Sequence, residues 1–189
     1  YTMKAAVFRN GKMKFLEPQT EPKKYDFSDE FGLQTTRLSL HSELATLPQF
    51  FRSKGIRNCE FRLTFSDDFN EIMGVLINNG FTSRNMLNYS GKNISTLEIT
   101  ASLMDRFIVK ENTKVIDKEV VRVIFNKGAL NMDMISHSDG KTSGGVLNTG
   151  IPCSICAHMI AKKEVKMSGV CAPESCVKGE IIFKELRKR

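Results

Sequence analysis

The sequence predicts an α+β fold with a mixed, mainly antiparallel sheet and helices packed on one face. Two observations lead to this prediction. Short segments in which apolar and polar residues alternate are joined by turn residues, as in strands paired by hairpins. Between these segments lie stretches with apolar residues at helical spacing, several of them preceded by a capping residue.

The N-terminal segment predicts a small hairpin over residues 7–16. Its turn is Asn10-Gly11, a dipeptide that readily takes the positive φ angles of a two-residue hairpin loop. A polar stretch with two prolines follows and predicts a connector. We therefore expect residues 1–32 to form an N-terminal hairpin and connector, and residues 33–189 to form one domain.

The next segments predict a strand, a short helix and a second strand. Residues 33–40 are strand-like, and a short helix is expected to open at Thr46 and to end at Gly55. Apolar residues then alternate with polar ones from Cys59 to Phe65, which predicts a half-buried strand.

Two further helices carry clear start signals. Ser66 precedes two acidic residues and a run of apolar residues at helical spacing, and Gly80 is expected to end this helix. Ser95 and Glu98 fit a capping box, which predicts a helix through about Met104.

A longer antiparallel hairpin is predicted over residues 120–134, with its turn at residues 126–128. Alternation places apolar side chains on both faces of its first strand. One face carries Val121, Val123 and Phe125, and the other carries Val120 and Ile124.

The C-terminal part predicts a flexible loop over residues 139–145 and then two helices. The first helix is expected to begin at Thr149 and Gly150, with Pro152 in its first turn and an apolar stripe of Ile151, Ile155 and Met159. The last helix is expected from about residue 179 to the end.

Composition and charge narrow the class of protein. The 189 residues contain 41% hydrophobic and 26% charged residues, with no apolar run of the roughly 18 residues that a membrane span needs. The sequence thus excludes a transmembrane protein, a disordered chain and a disulfide scaffold. The net charge of +7 favours an anionic partner such as nucleic acid, phosphate or a carboxylate substrate.

Nucleotide-binding motifs are absent from the sequence. Neither the P-loop pattern nor Gly-x-Gly-x-x-Gly occurs, so we expect this chain to hold no nucleotide cofactor. Phenylalanines interleave with basic residues near residues 50–62, but alternation favours core packing for Phe61 over a nucleic-acid platform. We therefore expect neither nucleic acid nor a membrane as partner.

The cysteines allow three interpretations. Cys153-x-x-Cys156 and Cys171-x4-Cys176 could supply zinc thiolates or a redox pair. Because Cys153 and Cys156 lie in a helical pattern, packing is the interpretation we favour and no metal is expected. Five cysteines without a secretory signal predict a reducing, cytoplasmic location.

Among the three histidines, His41 is the candidate for a site because it follows the end of a predicted strand, where side chains often reach a cleft. His137 and His158 have no partner at metal-ligand spacing. No nucleophile motif marks a Ser-His-Asp or Cys-His arrangement, so the catalytic residues stay unknown.

Three stretches taken together resemble the C-terminal portion of the saccharopine dehydrogenase family. The resemblance covers roughly residues 25–188. Its motifs are His41-Ser42-Glu43-Leu44-Ala45-Thr46-Leu47-Pro48; then Gly55-Ile56-Arg57, Phe61-Arg62-Leu63 and Phe69 with the helix to Gly80-Phe81; then Thr149-Gly150-Ile151-Pro152, Gly169-Val170, Ala172-Pro173-Glu174 and Phe183-Lys184-Glu185-Leu186.

The resemblance implies an oxidoreductase that reduces an imine or oxidises an amine at a carbon–nitrogen bond. Its cofactor, NAD or NADP, is held in the family by an N-terminal Rossmann domain that this sequence lacks, so the chain alone is expected to be inactive. The portion present implies a substrate-side domain that binds a small amino-acid-type substrate with carboxylates and forms a homodimer through its sheet. The sequence starts without Met, so we expect it to be a piece of a longer protein.

A substrate with carboxylates calls for cationic and backbone donors. Arg62 offers a planar guanidinium fork, and the expected helix start at Thr149 and Gly150 offers free amides at a positive dipole end. Together with His41, these are the predicted substrate-binding residues. The alternative function is a stand-alone, non-catalytic binding or scaffold module of the same fold.

Overall fold

A computed structural model describes residues 2–27, 30–106 and 114–188. These residues combine helices with antiparallel strands, which confirms the predicted α+β class. The described strands are β1 (Ala5–Arg9), β2 (Lys12–Leu16), β3 (Lys23–Asp26), β4 (Leu33–Leu38), β5 (Cys59–Glu60), β6 (Arg62–Leu63), β7 (Met86–Tyr89), β8 (Lys92–Ser95), β9 (Lys118–Phe125) and β10 (Leu130–His137). The described helices are α1 (Glu43–Phe50), α2 (Asp67–Asn78), α3 (Thr96–Asp105), α4 (Gly144–Ala161), α5 (Pro173–Cys176) and α6 (Gly179–Leu186).

By its contacts the chain divides into two compact units. The first comprises Tyr1–Pro48 and Lys54–Glu111, and the second comprises Gln49–Ser53 and Asn112–Arg189. The sequence analysis expected a boundary at residue 32. The structure instead includes the predicted hairpin and connector in the first unit, because β1 pairs with β5 and β3 pairs with β4.

The first unit is organised around β1, whose residues are buried on both faces. β1 lies between β2 and β5 in an antiparallel sheet, and a second antiparallel sheet has the order β3-β4-β6. Alternate residues of β1 enter two apolar clusters: Ala5 and Val7 pack with Leu38, while Ala6 and Phe8 pack with Leu44. Burying both faces of one short strand ties the N-terminal hairpin to the rest of the unit.

The predicted turn at Asn10-Gly11 is confirmed. Both residues have positive φ, 53° and 78°, which is the geometry of a two-residue hairpin loop. The helix expected from Thr46 begins instead at Glu43, so that Pro48 lies inside it. Gly55, with φ of 83°, follows a short 3-10 turn, Arg52–Lys54, that extends beyond α1.

Both capping predictions are confirmed. The Ser66 hydroxyl accepts a hydrogen bond from the Phe69 amide at the start of α2, and the Ser95 hydroxyl accepts one from the Glu98 amide at the start of α3. Between these helices lies a hairpin of β7 and β8 that the sequence analysis missed. Its turn is Ser90-Gly91, again with two positive φ angles, and this dipeptide was the available signal.

The second unit contains the β9–β10 hairpin and the helices α4, α5 and α6. The eight-pair antiparallel register of the hairpin runs from Lys118 opposite His137 to Phe125 opposite Leu130. It confirms the two predicted faces, since Val121, Val123 and Phe125 alternate with Val120 and Ile124. In the described part of the chain, no helix is long and apolar enough to cross a membrane.

Candidate functional site

A divided strand positions the candidate residue Arg62. The segment predicted as one strand forms two short ones, with β5 pairing with β1 and β6 pairing with β4. Phe61 lies at the break between them. Glu60 and Arg62 flank the break, and the Arg62 Nε donates a hydrogen bond to Glu60 Oε1 at 2.7 Å. The sheets β2-β1-β5 and β3-β4-β6 of the first unit are thereby joined by neighbouring residues of one segment.

The Arg62 guanidinium is almost enclosed, with 8% of its side chain exposed. Besides the bond to Glu60, Nη1 donates to the backbone oxygen of Glu21 at 2.6 Å. Nη2 is buried, lies 3.8 Å from Glu21 Oε2 and has no hydrogen-bond partner among the residues that the structure describes. The predicted fork is thus largely occupied by the protein's own acceptors, Glu60 and Glu21.

Glu60 is the centre of this ion cluster. Its carboxylate accepts hydrogen bonds from Arg62 at 2.7 Å, Arg9 at 2.8 Å and Lys23 at 3.0 Å. Burial alone would raise the pKa of Glu60, but the three cationic donors outweigh it and lower the pKa to about 2. The carboxylate therefore stays ionised in the folded protein down to low pH.

Arg9 extends the cluster to the connector. Its two terminal nitrogens form a bidentate pair with the Glu21 carboxylate at 2.8 and 2.5 Å, and the Arg9 guanidinium lowers the pKa of Glu21. Sequence reasoning missed Arg9, Glu21 and Glu60, because Arg9, Glu21 and Glu60 come from three segments far apart in the sequence and no local pattern marks them.

His41 lies between β4 and α1 with 41% of its side chain exposed. Its ring stacks on Phe61, with centroids 3.9 Å apart and an interplanar angle of 18°. Burial against its surroundings lowers the pKa of His41, and Nδ1 contacts the Glu43 carboxylate. Since an ionised carboxylate only accepts hydrogen bonds, Nδ1 carries the proton in the neutral ring, which leaves Nε2 as an acceptor.

The prediction of a helix start at Thr149 and Gly150 is wrong. α4 begins at Gly144, where the Ser143 hydroxyl accepts a hydrogen bond from the Val146 amide. Thr149 and Gly150 lie inside the helix, and the Thr149 hydroxyl donates to the Gly145 carbonyl at 3.0 Å. Their amides are therefore not the free donors of a helix end, and the physical reason for a carboxylate seat there is lost.

The actual start of α4 is occupied by carboxylates of the same unit. The Gly144 amide donates to Asp117 Oδ1 at 2.8 Å. One turn further, the side-chain Nδ2 of Asn148 donates to Glu119 Oε2 at 2.9 Å. The Ser136 hydroxyl donates to Asn148 Oδ1. This polar chain fastens α4 to β9 and β10. The sequence analysis assigned the segment to a flexible loop and so missed it.

The helix starts do not fit the pyrophosphate of NAD or NADP. A dinucleotide places its phosphates on the free amides of a helix N-terminus. In the described residues, each helix of eight or more residues has an acidic side chain in its first turn or on its first amide. These acids are Glu43 in α1, Asp67 and Asp68 in α2, Glu98 in α3, Asp117 on α4 and Glu180 in α6. Their negative charge opposes a bound phosphate.

The two cysteines of α4, Cys153 and Cys156, differ in their exposure to solvent. Cys156 is half-buried on α4, as packing predicts, but Cys153 is exposed, so the packing interpretation is wrong for Cys153. The apolar stripe is confirmed through Ile155 and Met159, which are 2% and 3% exposed. Among the residues that the structure describes, no group of three or more His, Cys, Asp or Glu side chains could hold a metal ion.

The candidates fall in both units, with Arg62 and His41 in the first and Thr149 and Gly150 in the second. A cavity of about 560 Å³ in the first unit is lined by residues of the N-terminus and the end of α2, and none of the four candidates lines it.

Comparison with known families identifies the class of protein. The chain matches the family model of the saccharopine dehydrogenase C-terminal domain over residues 1–189. The match covers the whole chain, so the chain belongs to this oxidoreductase family. No curated protein gives a significant match.

Proposed function

We propose that this chain is the substrate-side domain of a saccharopine dehydrogenase-like oxidoreductase that acts on a carbon–nitrogen bond. The observation that carries the proposal is the family match over residues 1–189. The nicotinamide cofactor is bound outside this chain in the proposed enzyme, which agrees with the acidic side chains at the helix starts.

The first unit supplies two groups for a substrate with carboxylates. Arg62 contributes a fixed positive charge close to the surface, since 8% of its side chain is exposed. His41, whose side chain is 41% exposed, contributes an acceptor at Nε2 and a ring held in place by Phe61 and Glu43. In this proposal Arg62 attracts a substrate carboxylate, and His41 accepts a hydrogen bond from the substrate ammonium group. Thr149 and Gly150 have no part in it.

The test uses the protein that includes the region upstream of Tyr1. We expect that region to contain Gly-x-Gly-x-x-Gly, and we expect the purified protein to reduce NAD or NADP when saccharopine is added. The rate is followed by the absorbance of the reduced nicotinamide. A protein without the motif, or one that reduces neither cofactor with saccharopine or a related secondary amine, would overturn the proposal.

Two variants test the substrate residues separately. Arg62→Lys keeps a charge but removes the planar fork, and His41→Gln keeps a polar side chain without the ring. We expect each variant to raise KM for the amine substrate about tenfold, since each removes about 1.4 kcal/mol of binding. Arg52→Lys is the matched control, because Arg52 is exposed in the 3-10 turn after α1. An unchanged KM in both site variants would remove these residues from the proposal.

We further propose that the domain forms a homodimer through the β9–β10 hairpin. Glu119 and Ser136, at the base of one face, contact the start of α4. The rest of that face is apolar and largely exposed, and it consists of Val121, Val123, Phe125, Leu130, Met132 and Met134. On the opposite face the Arg122–Asp133 ion pair interrupts the apolar residues. A two-fold axis would bury the continuous apolar face with one self-complementary surface.

A further inference from the structure

In the described part of the chain, the cavity of the first unit is lined by two cationic side chains and by no acidic one. We propose that this cavity binds a small phosphate monoester between Lys4 and Arg84. Its volume of about 560 Å³ lies within the range of about 300–1,000 Å³ that is typical of small-molecule sites. The proposal does not depend on the carbon–nitrogen chemistry above, because neither Arg62 nor His41 lines this cavity.

Three segments of the first unit form the walls of the cavity. The first wall is residues 2–4, directly before β1, and the second is the last turn of α2 with Gly80. The third wall is residues 82–84, which precede β7. The first and third walls adjoin, because the Arg84 Nη2 lies 4.0 Å from the Met3 sulfur. The two cationic side chains therefore come from neighbouring segments and can approach the same anion.

The wall that carries Arg84 is held in place by α3. The Thr96 hydroxyl donates to the Gly80 carbonyl at 2.9 Å, and the Thr100 hydroxyl donates to the Phe81 carbonyl at 2.9 Å. These bonds fix the backbone on the N-terminal side of Arg84 before a ligand arrives. Less conformational entropy is lost on binding when the site is already formed.

Both cationic groups keep donors for a ligand. The Lys4 Nζ lies 3.2 Å from Glu17 Oε1, but the two side chains are 63% and 68% exposed, and such exposed ion pairs contribute little free energy. The Arg84 guanidinium contacts the Met3 sulfur, a weak acceptor, and has no carboxylate partner among the residues that the structure describes. Neither charge is thus strongly neutralised by the protein itself.

The end of α2 adds a smaller charge of the opposite sign. The C-terminal end of a helix carries about half a negative charge, against the two full positive charges of Lys4 and Arg84. One of its last carbonyls is moreover engaged, because the Gly80 amide donates to the Ile77 carbonyl at 3.1 Å. Gly80 has a φ of 77°, which permits this closing turn. The net charge around the cavity therefore favours an anion.

The donors match a phosphate better than a single carboxylate. A phosphate monoester carries about −1.5 to −2 charges at neutral pH and three acceptor oxygens. Arg84 offers a planar fork for two oxygens, and Lys4 offers a point charge for the third. The Ser83 hydroxyl accepts a hydrogen bond from the Asn85 amide at 3.1 Å, so its own proton remains available to donate. A carboxylate, with one charge, would leave one of the two cations unmatched.

The experiment titrates the purified chain with glycerol 3-phosphate at constant ionic strength and follows the backbone amides by NMR. We expect saturable shifts at Lys4 and residues 82–84 with a Kd of about 1 mM, and none with neutral glycerol. Arg84→Gln and Lys4→Gln should each raise the Kd about tenfold. The matched controls, Arg57→Gln and Lys12→Gln, change exposed cations of the same unit outside the cavity and should leave the Kd unchanged.

Other results overturn the proposal. They are shifts confined to the ion cluster around Glu60, equal Kd values for Arg84→Gln and Arg57→Gln, or no saturation at about ten times the expected Kd. Succinate is titrated in parallel, and tighter binding of this dicarboxylate would reject a phosphate site. The shift map of the unmodified chain locates the ligand directly, so the test stands even if a variant fails to fold. A failure here leaves the nicotinamide assay of the proposed enzyme unaffected.

Discussion

The Gly144 amide donates a 2.8 Å hydrogen bond to the Asp117 carboxylate, which joins the start of α4 to the residue before β9. A Cβ placed on Gly144 would lie 2.8 Å from the backbone oxygen of Ser136 in β10. The first residue of α4 therefore packs directly against the backbone of β10, and the Asp117 carboxylate lies at the positive end of the helix dipole. This contact makes Gly144 a position where a side chain cannot be added without moving α4 or the hairpin.

Alanine substitution should separate this glycine from another in the same helix. We expect Gly144→Ala to lower the free energy of unfolding by about 1–3 kcal/mol, because its Cβ meets backbone that cannot rotate away. Gly150→Ala is the matched control, since among the described residues no atom beyond the adjoining helix backbone and chain neighbours lies within 4 Å of its Cβ position. It should raise stability by about 0.5–1 kcal/mol through helix propensity. Urea denaturation measures both, and equal effects would contradict the contact.

The free energy of unfolding should decrease as the pH is lowered, because Glu60 becomes protonated. Its pKa is about 2 in the folded protein and 4.5 as an ordinary glutamate. The folded pKa is the lower one, so the stabilisation is present above pH 4.5 and is lost as the pH falls toward 2. We expect it to amount to about 2 kcal/mol after allowing for solvent screening.

Thermal denaturation across this pH range measures the effect. Glu60→Gln should flatten the dependence, because the variant has no carboxyl to protonate at this position. Glu71→Gln, which changes an exposed glutamate of α2, should leave the dependence as it is in the unmodified chain. A Glu60→Gln curve parallel to that of the unmodified chain would show that the ion cluster does not govern the acid response.

The isolated chain should bind neither NADH nor NADPH in the micromolar range. The acidic side chains at the helix starts oppose the pyrophosphate, and the Gly144 amide already has an acceptor. Calorimetric titration with each cofactor is the measurement. A clear one-to-one isotherm would refute the proposal that the cofactor is held outside this chain.

Charge placed on one face of the β9–β10 hairpin should disrupt the proposed dimer. Val123 and Ile124 are adjacent and 45% and 37% exposed, but they lie on opposite faces. We expect light scattering at low micromolar concentration to give a dimer mass for the unmodified chain and a monomer mass for Val123→Lys. Ile124→Lys is the matched control and should remain dimeric. A monomeric unmodified chain would reject the dimer, and monomers from Ile124→Lys alone would assign it to the other face.

Local signals in the sequence predicted the elements that local interactions determine. Ser66 and Ser95 begin helices because their hydroxyls satisfy amides three residues away, and Asn10-Gly11 turns because both residues tolerate positive φ. The start of α4 was missed because Pro152 offered a more conspicuous start signal than Ser143, although Ser143 caps the helix by a local bond from the Val146 amide.

The candidate site was predicted less completely than the fold. Sequence alternation identified Arg62 as a polar residue of its strand, but its partner Glu21 lies 41 residues away in the connector, and Arg9 reaches the shared Glu60 from β1. Likewise, the break at Phe61 arises because its two neighbouring pairs belong to different sheets. Such tertiary pairings have no signature in a single stretch of sequence.

The pairing of β5 with β1 also has a consequence for the order of folding. Val7 lies opposite Glu60, so the pair closes a loop of about fifty residues, whereas β9 and β10 are joined by a short turn. The entropy of closing the longer loop must be overcome before β1 gains its second neighbour. During synthesis or refolding, β1 and β2 would therefore pair first, and β1 would keep one unpaired edge until β5 arrives. In that interval the exposed edge is the point most vulnerable to pairing with another chain.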